Sequence, residues 1–325
     1  MSSSVATSTS DGAAPPDGHR EKAAEPVRTG MSRRRRERIA AALFLLPDSI
    51  GLLVFVAVPM VLSLVLSFFQ VSGFGSYDWV GLGNYRRMMQ DPLFWESMRI
   101  TGIYVVVLVP TLFAVSLGLG LLVKQKLPGM SAYRTAFFLP YVISLVVVGL
   151  LWKFMLDDQV GVVNQAMRAA GLDGESWLGS PGWALVSVIG VMVWVMMGYY
   201  MLIFLAGLQE IPKEYYEAAR IDGAGPWTTF RTITWPLLRP TSFFVLLMST
   251  VAAITGGLEL IFVLTKGGPA NGTSLAIFYI YQQAFQFGEF GYAAAMGSVL
   301  VLIMVLCSAV IFKVTKGGRF DDDDQ

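Results

Sequence analysis

Six long apolar segments dominate the sequence and restrict what it can fold into. Their approximate limits are residues 40–69, 100–123, 135–155, 182–208, 241–264 and 290–312. The hydrocarbon core of a bilayer, about 30 Å thick, requires about 20 helical residues, and each segment meets or approaches that length. Only Asp48, Lys153 and Glu259 interrupt the segments with charge. The pattern predicts an all-α polytopic membrane protein with six transmembrane helices.

The composition argues against a soluble enzyme and removes several chemistries. Hydrophobic residues make up 54% and charged residues 14% of the 325 residues, whereas a soluble domain typically carries about 25% charged residues. A single histidine, His19, and a single cysteine, Cys307, cannot form a structural zinc site or an internal disulfide. No glycine is followed directly by lysine, so the phosphate-binding Gly-x-x-x-x-Gly-Lys-Ser/Thr loop is missing. We therefore expect no metal site, no catalytic residue and no ATP site in this chain.

The charged residues concentrate in tails and connections. We interpret residues 1–38 as a disordered, basic cytoplasmic tail, residues 39–316 as the transmembrane domain and residues 317–325 as an acidic C-terminal tail. The basic block Arg33–Arg36 directly precedes the first apolar segment, which favours a membrane anchor over nucleic-acid binding. The uncharged stretch 267–288 contains Asn271 and three glutamines, so we expect a connection with an interfacial aromatic helix rather than a seventh span.

The distribution of lysine and arginine predicts the orientation in the membrane. With six spans, both termini lie on one side, and placing them inside puts 18 of the 24 basic residues on that side. Basic residues near span ends are retained in the cytoplasm. The loops 124–134 and 208–240 are therefore expected to be cytoplasmic, and the loops 70–99, 156–181 and 265–289 to face out.

The cytoplasmic loop 208–240 is the most informative part of the sequence. Pro212 suits the first position of a helix and Gly223 its left-handed C-terminal cap, which predicts a short helix over 212–222. A second short helix should start after Gly225-Pro226 and end at Trp235-Pro236. At 100° per residue, one face of the first helix carries Ile211, Tyr215, Ala218, Ala219 and Asp222, and the other side carries Lys213, Glu217 and Arg220. Such a shallow, nearly neutral face favours docking in a protein groove over lying on the membrane surface.

Two motifs resemble those of a known family. The loop matches the signature Glu-Ala-Ala, three residues, Gly, nine residues, Ile, one residue, Leu-Pro, with Trp235 in place of the leucine; the matching residues are Glu217, Ala218, Ala219, Gly223, Ile233 and Pro236. The second motif is Thr265-Lys-Gly-Gly-Pro269 with Thr273. Over residues 40–315 the chain resembles the permease subunits of binding-protein-dependent ATP-binding-cassette (ABC) importers, in particular the maltose-type carbohydrate branch. The resemblance implies the type I importer permease (MetI-like) fold.

The resemblance also implies partners and roles. The chain would form half of a sugar translocation pathway in a bacterial plasma membrane, paired with a second homologous permease, two ATP-binding-cassette subunits and an extracytoplasmic solute-binding protein. ATP and Mg²⁺ would bind the partner ATPase. The residues expected to seat a coupling helix in that ATPase are Glu217, Ala218, Ala219, Asp222 and Gly223. An alternative is that Glu217 only pairs with Lys213 or Arg220 on its own helix.

Candidates for the substrate path lie in the fourth and fifth spans. Aromatic side chains can stack on sugar rings, and glycine interruptions and ionisable groups in spans point to a transport path. The candidates are Trp194, Met197, Tyr199, Tyr200, Thr255, Gly256, Gly257 and Glu259. None of the six predicted segments contains arginine, which favours a neutral sugar over a substrate such as glycerol 3-phosphate. We interpret Asp48, beside Pro47, as a helix N-cap rather than a ligand.

Two alternatives remain open at the level of sequence. An ion-coupled secondary carrier needs buried ion-coordinating groups, and Glu259 is its one serious candidate. A membrane-embedded enzyme would lack a catalytic histidine and paired carboxylates in the spans.

Overall fold

The computed structural model describes residues 33–72, 75–125 and 128–315. Most of the two predicted tails and His19 therefore lie outside the described residues. The chain divides into two units, residues 1–57 and 58–325. In the first unit, helix α1 (Arg33–Leu52) is followed by a wide π turn (Leu53–Ala57). Asp48 lies inside α1, so the predicted N-cap at this residue is wrong: the helix begins at Arg33, several turns upstream, and its free N–H groups are not near Asp48.

The second unit begins with helix α2 (Val58–Leu66) and a hairpin of strands β1 (Phe69–Ser72) and β2 (Ser76–Trp79), which pair antiparallel with Phe69 opposite Trp79. The remaining elements are α3 (Gly83–Gln90), α4 (Pro92–Val123), α5 (Met130–Val142), α6 (Leu145–Met155), α7 (Val162–Ala169), α8 (Pro181–Glu210), α9 (Lys213–Ile221), α10 (Pro226–Thr229), a π turn (Phe230–Thr234), α11 (Trp235–Leu237), α12 (Arg239–Thr255), α13 (Leu258–Leu264), α14 (Ala276–Tyr281), a π turn (Gln282–Gln286) and α15 (Phe290–Val314). The all-α prediction is confirmed, and the small hairpin is an addition to it.

Four described helices are long and apolar enough to cross a membrane: Ala41–Leu66, Pro92–Val123, Pro181–Glu210 and Phe290–Val314. The count rises to six if each of two bent helix pairs forms one span. These pairs are α5 with α6, bent by 99°, and the segment Pro226–Leu237 with α12, bent by 67°. The predicted number of six spans corresponds to the upper count, but the second bent pair starts at Pro226, inside the loop 208–240 that is predicted to be cytoplasmic, and ends at Thr255, before the predicted end of the fifth span at 264.

Two predicted spans are not continuous helices. The third, 135–155, breaks at Ile143 and Ser144, whose backbones are extended, with ψ of 139° and 133°. The fifth, 241–264, breaks at Gly256 and Gly257, and Gly257 adopts a left-handed φ of +84°. A hydropathy profile does not show these breaks, because the residues at them do not interrupt the apolar segments with charge. In the fifth span, Gly257 adopts the left-handed conformation that other residues avoid.

The core forms where α8 packs against α4, α5 and α12. Tyr104, Leu108 and Leu112 from α4 are fully buried, as are Met192 and Phe204 from α8. Glycines permit the closest approaches: a Cβ on Gly198 would overlap the backbone carbonyl of Phe137 in α5. Helices pack this tightly in membranes mainly through small residues at their interfaces.

A polar cluster ties α4 to α14 and α15. The Asp91 carboxylate caps α4 by accepting a 2.9 Å hydrogen bond from the Leu93 amide, and it accepts hydrogen bonds from the hydroxyls of Tyr279 at 2.7 Å and Tyr292 at 2.6 Å. Burial alone would raise the pKa of Asp91, but the hydrogen bonds from Tyr292, Tyr279 and the backbone lower it below its ordinary value. Removing this one carboxylate would therefore break contacts in three helices.

Candidate functional site

The predicted short helix of the loop 208–240 is present as α9 (Lys213–Ile221). Pro212 precedes it in an extended conformation as the N-cap, and Asp222 is the C-cap. Gly223 follows with a φ of +74°, and the amide of Ala224 donates a 2.8 Å hydrogen bond to the Ala219 carbonyl. Gly223 thus ends the helix in the left-handed conformation that its sequence position predicts.

The face of α9 that was predicted to dock on a partner is partly buried and partly exposed in the structure. Ile211 and Ala219 are buried in this chain, and Ala219 is only 8% exposed. Tyr215, Ala218 and Asp222 are exposed. The inward face of α9 is centred on Tyr216 and Ala219, which lie three residues apart and hence on one side of the helix. Of the five residues predicted to contact an ATPase, Glu217, Ala218, Asp222 and Gly223 are accessible, whereas Ala219 packs against the chain itself.

Tyr216 connects α9 to two other parts of the chain. Lys124, at the end of α4, donates a 3.0 Å hydrogen bond from Nζ to the Tyr216 hydroxyl and lies 4.2 Å from the centre of its ring. The same hydroxyl is 3.2 Å from Oγ1 of the buried Thr234, in the π turn before α11. Sequence reasoning missed Tyr216, although its spacing of three from Ala219 indicates an inward position.

Glu217 is exposed and has no hydrogen-bond or ion-pair partner among the described residues. In the described residues it forms no ion pair with Lys213 or Arg220, so the alternative of pairing within its own helix is not what the structure shows. Beside it, Ile221 is 87% exposed and Trp227 is 72% exposed. Two large apolar side chains are therefore exposed near Glu217 on the loop 208–240. Sequence reasoning missed both residues, although an isoleucine as the last residue of a short helix in a polar loop was an available signal.

Behind α9 lies a cavity of about 1140 Å³ between the end of α4 and the loop's second helix. Its charged lining consists of Lys124, Lys213 and Arg220 with the single carboxylate Glu217. Trp227 and Phe230 also line it, with their rings stacked 5.7 Å apart. The cavity is thus mainly cationic and aromatic.

The second motif, Thr265 to Thr273, forms a compact loop. The Thr273 hydroxyl lies 2.7 Å from both Oγ1 of Thr265 and the carbonyl oxygen of Gly268. Gly267 has a φ of +83°, and a Cβ there would be 2.6 Å from the Phe278 ring. The predicted aromatic helix in 267–288 is present as α14 and contains Phe278, Tyr279 and Tyr281. The hydrogen bonds of Thr273 and the close contact of Gly267 with Phe278 of α14 therefore hold the connection 265–289 in its fold.

The substrate-path candidates on α8 fall into two neighbouring clusters. Trp194 packs edge to face with Trp152 of α6, with ring centres 5.6 Å apart. Met197, Tyr199 and Tyr200 pack in the other cluster, where Tyr199 stacks on Tyr141 of α5 at 4.6 Å. Trp194 and Tyr199 therefore contact opposite sides of the break between α5 and α6.

The candidates in the fifth segment surround the helix break. Thr255 ends α12, Gly256 and Gly257 form the break, and Glu259 lies in the first turn of α13. Thr255 and Glu259 are exposed, and the Thr255 hydroxyl donates back to the Val251 carbonyl. The eight candidates are therefore spread over two packing clusters on α8 and the break between α12 and α13. At this break, a Cβ added to Gly257 would lie 3.4 Å from the hydroxyl of the buried Tyr104.

The helical fold, with its four to six candidate membrane spans among the described residues, defines a multi-pass membrane protein. Residues 111–316 match the family described as "Binding-protein-dependent transport system inner membrane component". The chain belongs to this family. In the part that the structure describes, no group of three or more His, Cys, Asp or Glu side chains could hold a metal ion.

Known proteins resemble the chain over most of its length. It is 37% identical over 285 residues to the "Probable ABC transporter permease protein YesP" of Bacillus subtilis, which covers 86% of this chain and 92% of the relative. It is 38% identical to the "Lactose transport system permease protein LacF" of Rhizobium radiobacter, covering 83% and 92%. The crystal structure of a bacterial alginate ABC transporter, in complex with a periplasmic protein that binds an alginate pentasaccharide, superposes with a TM-score of 0.76 at 27% identity, covering 88% of this chain and 98% of that one.

Proposed function

We propose that this chain is the permease subunit of an ATP-driven sugar importer, in which it forms half of the translocation pathway. The observation that supports this most directly is α9, a short helix with an exposed carboxylate and an exposed isoleucine that is anchored by Tyr216 to the chain's own membrane helices. Because the sequence has no Gly-x-x-x-x-Gly-Lys-Ser/Thr loop, the proposal assigns ATP hydrolysis to a separate subunit, and α9 is the projecting element that receives its work. A relative is described as a lactose transport permease, which supports a carbohydrate substrate.

In this proposal α9 is the coupling helix. Its outward residues Glu217, Ala218, Ile221 and Asp222 contact an ATPase cleft, and Glu217 meets a cation there. Its inward residue Tyr216 passes the movement to α4 through Lys124 and to α11 and α12 through Thr234. ATP shifts the permease between inward- and outward-facing states only if the ATPase holds α9 differently in the two states.

The proposed assembly contains two ATPase subunits, which bind ATP and Mg²⁺, and a second homologous permease. Both termini and the loop 208–240 face the cytoplasm, as the distribution of basic residues predicts. A solute-binding protein delivers sugar to the outer loops, especially 265–289. Its docking is supported by the alginate transporter, whose structure contains a periplasmic protein.

A neutral sugar is the proposed substrate because none of the six predicted spans contains arginine. The observed length of α4 changes one part of this argument. Observed α4 starts at Pro92 rather than 100 and therefore contains Arg99. At 1.5 Å per residue, its 32 residues are about 48 Å long, well over the hydrocarbon thickness of about 30 Å. Arg99 lies about two turns from the start of α4, in the part of the helix that exceeds the hydrocarbon thickness. The membrane centre therefore contains no arginine from α4.

Reconstitution tests the proposed function. The chain is placed in proteoliposomes with its second permease, its ATPase and its binding protein, and ATP hydrolysis is measured with a panel of neutral and anionic sugars. A neutral sugar together with the binding protein is expected to stimulate hydrolysis and uptake. Stimulation by glycerol 3-phosphate alone would contradict the substrate class. Uptake by the chain alone, driven by a proton or sodium gradient, would support the ion-coupled carrier instead.

A further inference from the structure

The proposed transport cycle assigns Glu217 to the ATPase but assigns no partner to the cationic side chains that line the cavity behind α9. Three cationic side chains, Lys124, Lys213 and Arg220, line it against the single carboxylate Glu217. Lys124 is already engaged with Tyr216, but Lys213 and Arg220 form no ion pair in the described residues. A cavity of about 1140 Å³ with two such cations fits a short acidic peptide better than a compact ion.

The sequence itself contains such a peptide. Asp321, Asp322, Asp323 and Asp324 form the longest acidic run in the chain and lie outside the described residues. We propose that this C-terminal aspartate run binds in the cationic cavity behind α9. The run would then tie the end of α15 to the coupling region of the same chain.

The end of α15 lies close to the cavity residue Thr234. Phe312, near the end of α15, packs against Phe243 of α12 with ring centres 5.9 Å apart. Phe243 follows the cavity residue Thr234 by nine residues, which span at most about 14 Å in helical conformation. From Thr315, the six residues to Asp321 reach about 20 Å when extended and the nine to Asp324 about 30 Å. An extended run is therefore long enough to reach the edge of the cavity at Thr234.

Tethering compensates for the weakness of the individual ion pairs. An exposed ion pair contributes little by itself, and salt screens it. Attachment through a short linker gives the aspartates an effective concentration of the order of mM at the cavity, which a free acidic peptide would not reach. The run is thus the occupant that the observations favour over an acidic segment of another protein.

Cysteine cross-linking in the assembled transporter tests the proposal. In a Cys307→Ala background, Gln325→Cys is combined with Gln125→Cys, which lines the cavity, or with Glu214→Cys, an exposed control on α9 that does not line it. A short bifunctional maleimide is expected to cross-link position 325 to position 125 about tenfold more than to position 214. Replacing all four aspartates by Asn, or Lys213 and Arg220 by Gln, should reduce the cross-link at position 125 to the control level.

Several results would overturn the proposal. Equal cross-linking at positions 125 and 214 would mean that the tail has no preference for the cavity. A cross-link that persists after either neutralisation, or in 1 M salt where the screening length falls to about 3 Å, would rule out charge as the cause. If the thiol introduced by Gln125→Cys stays protected from maleimide after the tail is neutralised, another chain fills the cavity. Because the cross-link is scored without transport, these outcomes do not depend on the proposed function.

Discussion

Tyr216→Phe should uncouple ATP hydrolysis from uptake. The substitution keeps the ring but removes the hydroxyl that joins Lys124 at 3.0 Å and Thr234 at 3.2 Å. A hydrogen bond to a charged group contributes about 1.5–3 kcal/mol and a neutral one about 0.5–1.5 kcal/mol. Since Tyr216 is only half-buried, we expect a total near 2 kcal/mol, the lower end of the combined range. A loss of about 1.4 kcal/mol in the coupling free energy corresponds to a tenfold effect.

The assay is the number of sugar molecules imported per ATP hydrolysed in proteoliposomes. For Tyr216→Phe a loss of about 2 kcal/mol should lower this ratio about thirtyfold, while ATP hydrolysis continues because the outward face of α9 is unchanged. Tyr215→Phe is the matched control: its side chain is 53% exposed and its hydroxyl makes no hydrogen bond in the described residues, so its ratio should equal that of the native protein. An unchanged ratio in Tyr216→Phe, or equal losses in both variants, would refute the role of Tyr216.

Four further substitutions test other parts of the structure. Glu217→Lys should abolish uptake without affecting membrane insertion, because it places a cation where an ATPase cation is expected. Gly223→Val should also abolish uptake, because the backbone φ of +74° at this position is strained for valine. Uptake assays and immunoblots of membranes check both variants. Asp91→Ala should lower the thermal unfolding temperature in detergent, because it removes a helix cap worth about 0.5–2 kcal/mol and the carboxylate that accepts hydrogen bonds from the hydroxyls of Tyr279 and Tyr292. Since the folded pKa of Asp91 is lowered, its stabilisation is present above the unfolded value and is lost as the pH falls through the folded one, so native protein and Asp91→Ala should converge in unfolding temperature under strongly acidic conditions. Gly198→Ala should reduce the yield of folded protein, measured by size-exclusion chromatography, because the new Cβ overlaps the Phe137 carbonyl, whereas Gly190→Ala, with open space at its Cβ, should not.

Periodicity and local residue chemistry predicted much of the fold. Length and apolarity gave the long helices α4, α8 and α15, because hydrocarbon thickness sets their minimum length. Pro212 and Gly223 predicted α9 to within one residue at each end, because these residues have strict backbone preferences. The motifs around Glu217 and Thr265 predicted the family, which the match over residues 111–316 confirms.

The remaining features depend on tertiary contacts. The break at Ile143 lies in an apolar run, so nothing in its hydropathy marks it. The inward rotation of α9 is set by where Lys124 and Thr234 lie, and neither is near Tyr216 in sequence. The helix face predicted from Ile211 to Asp222 therefore had the right period but a different centre. The roles of the eight substrate-path candidates, such as Trp194 and Glu259, stay predictions.

The most direct test of the account is a cross-link from the exposed face of α9 to an ATPase. Ile221→Cys, at a position that is 87% exposed, is compared with Asp173→Cys, an exposed position in the predicted outer loop, both in the Cys307→Ala background of the assembled transporter. We expect Ile221→Cys to trap the ATPase subunit in a yield that changes when ATP is added, and Asp173→Cys to trap none. If Ile221→Cys traps no ATPase in a transporter that is active, α9 is not the coupling helix.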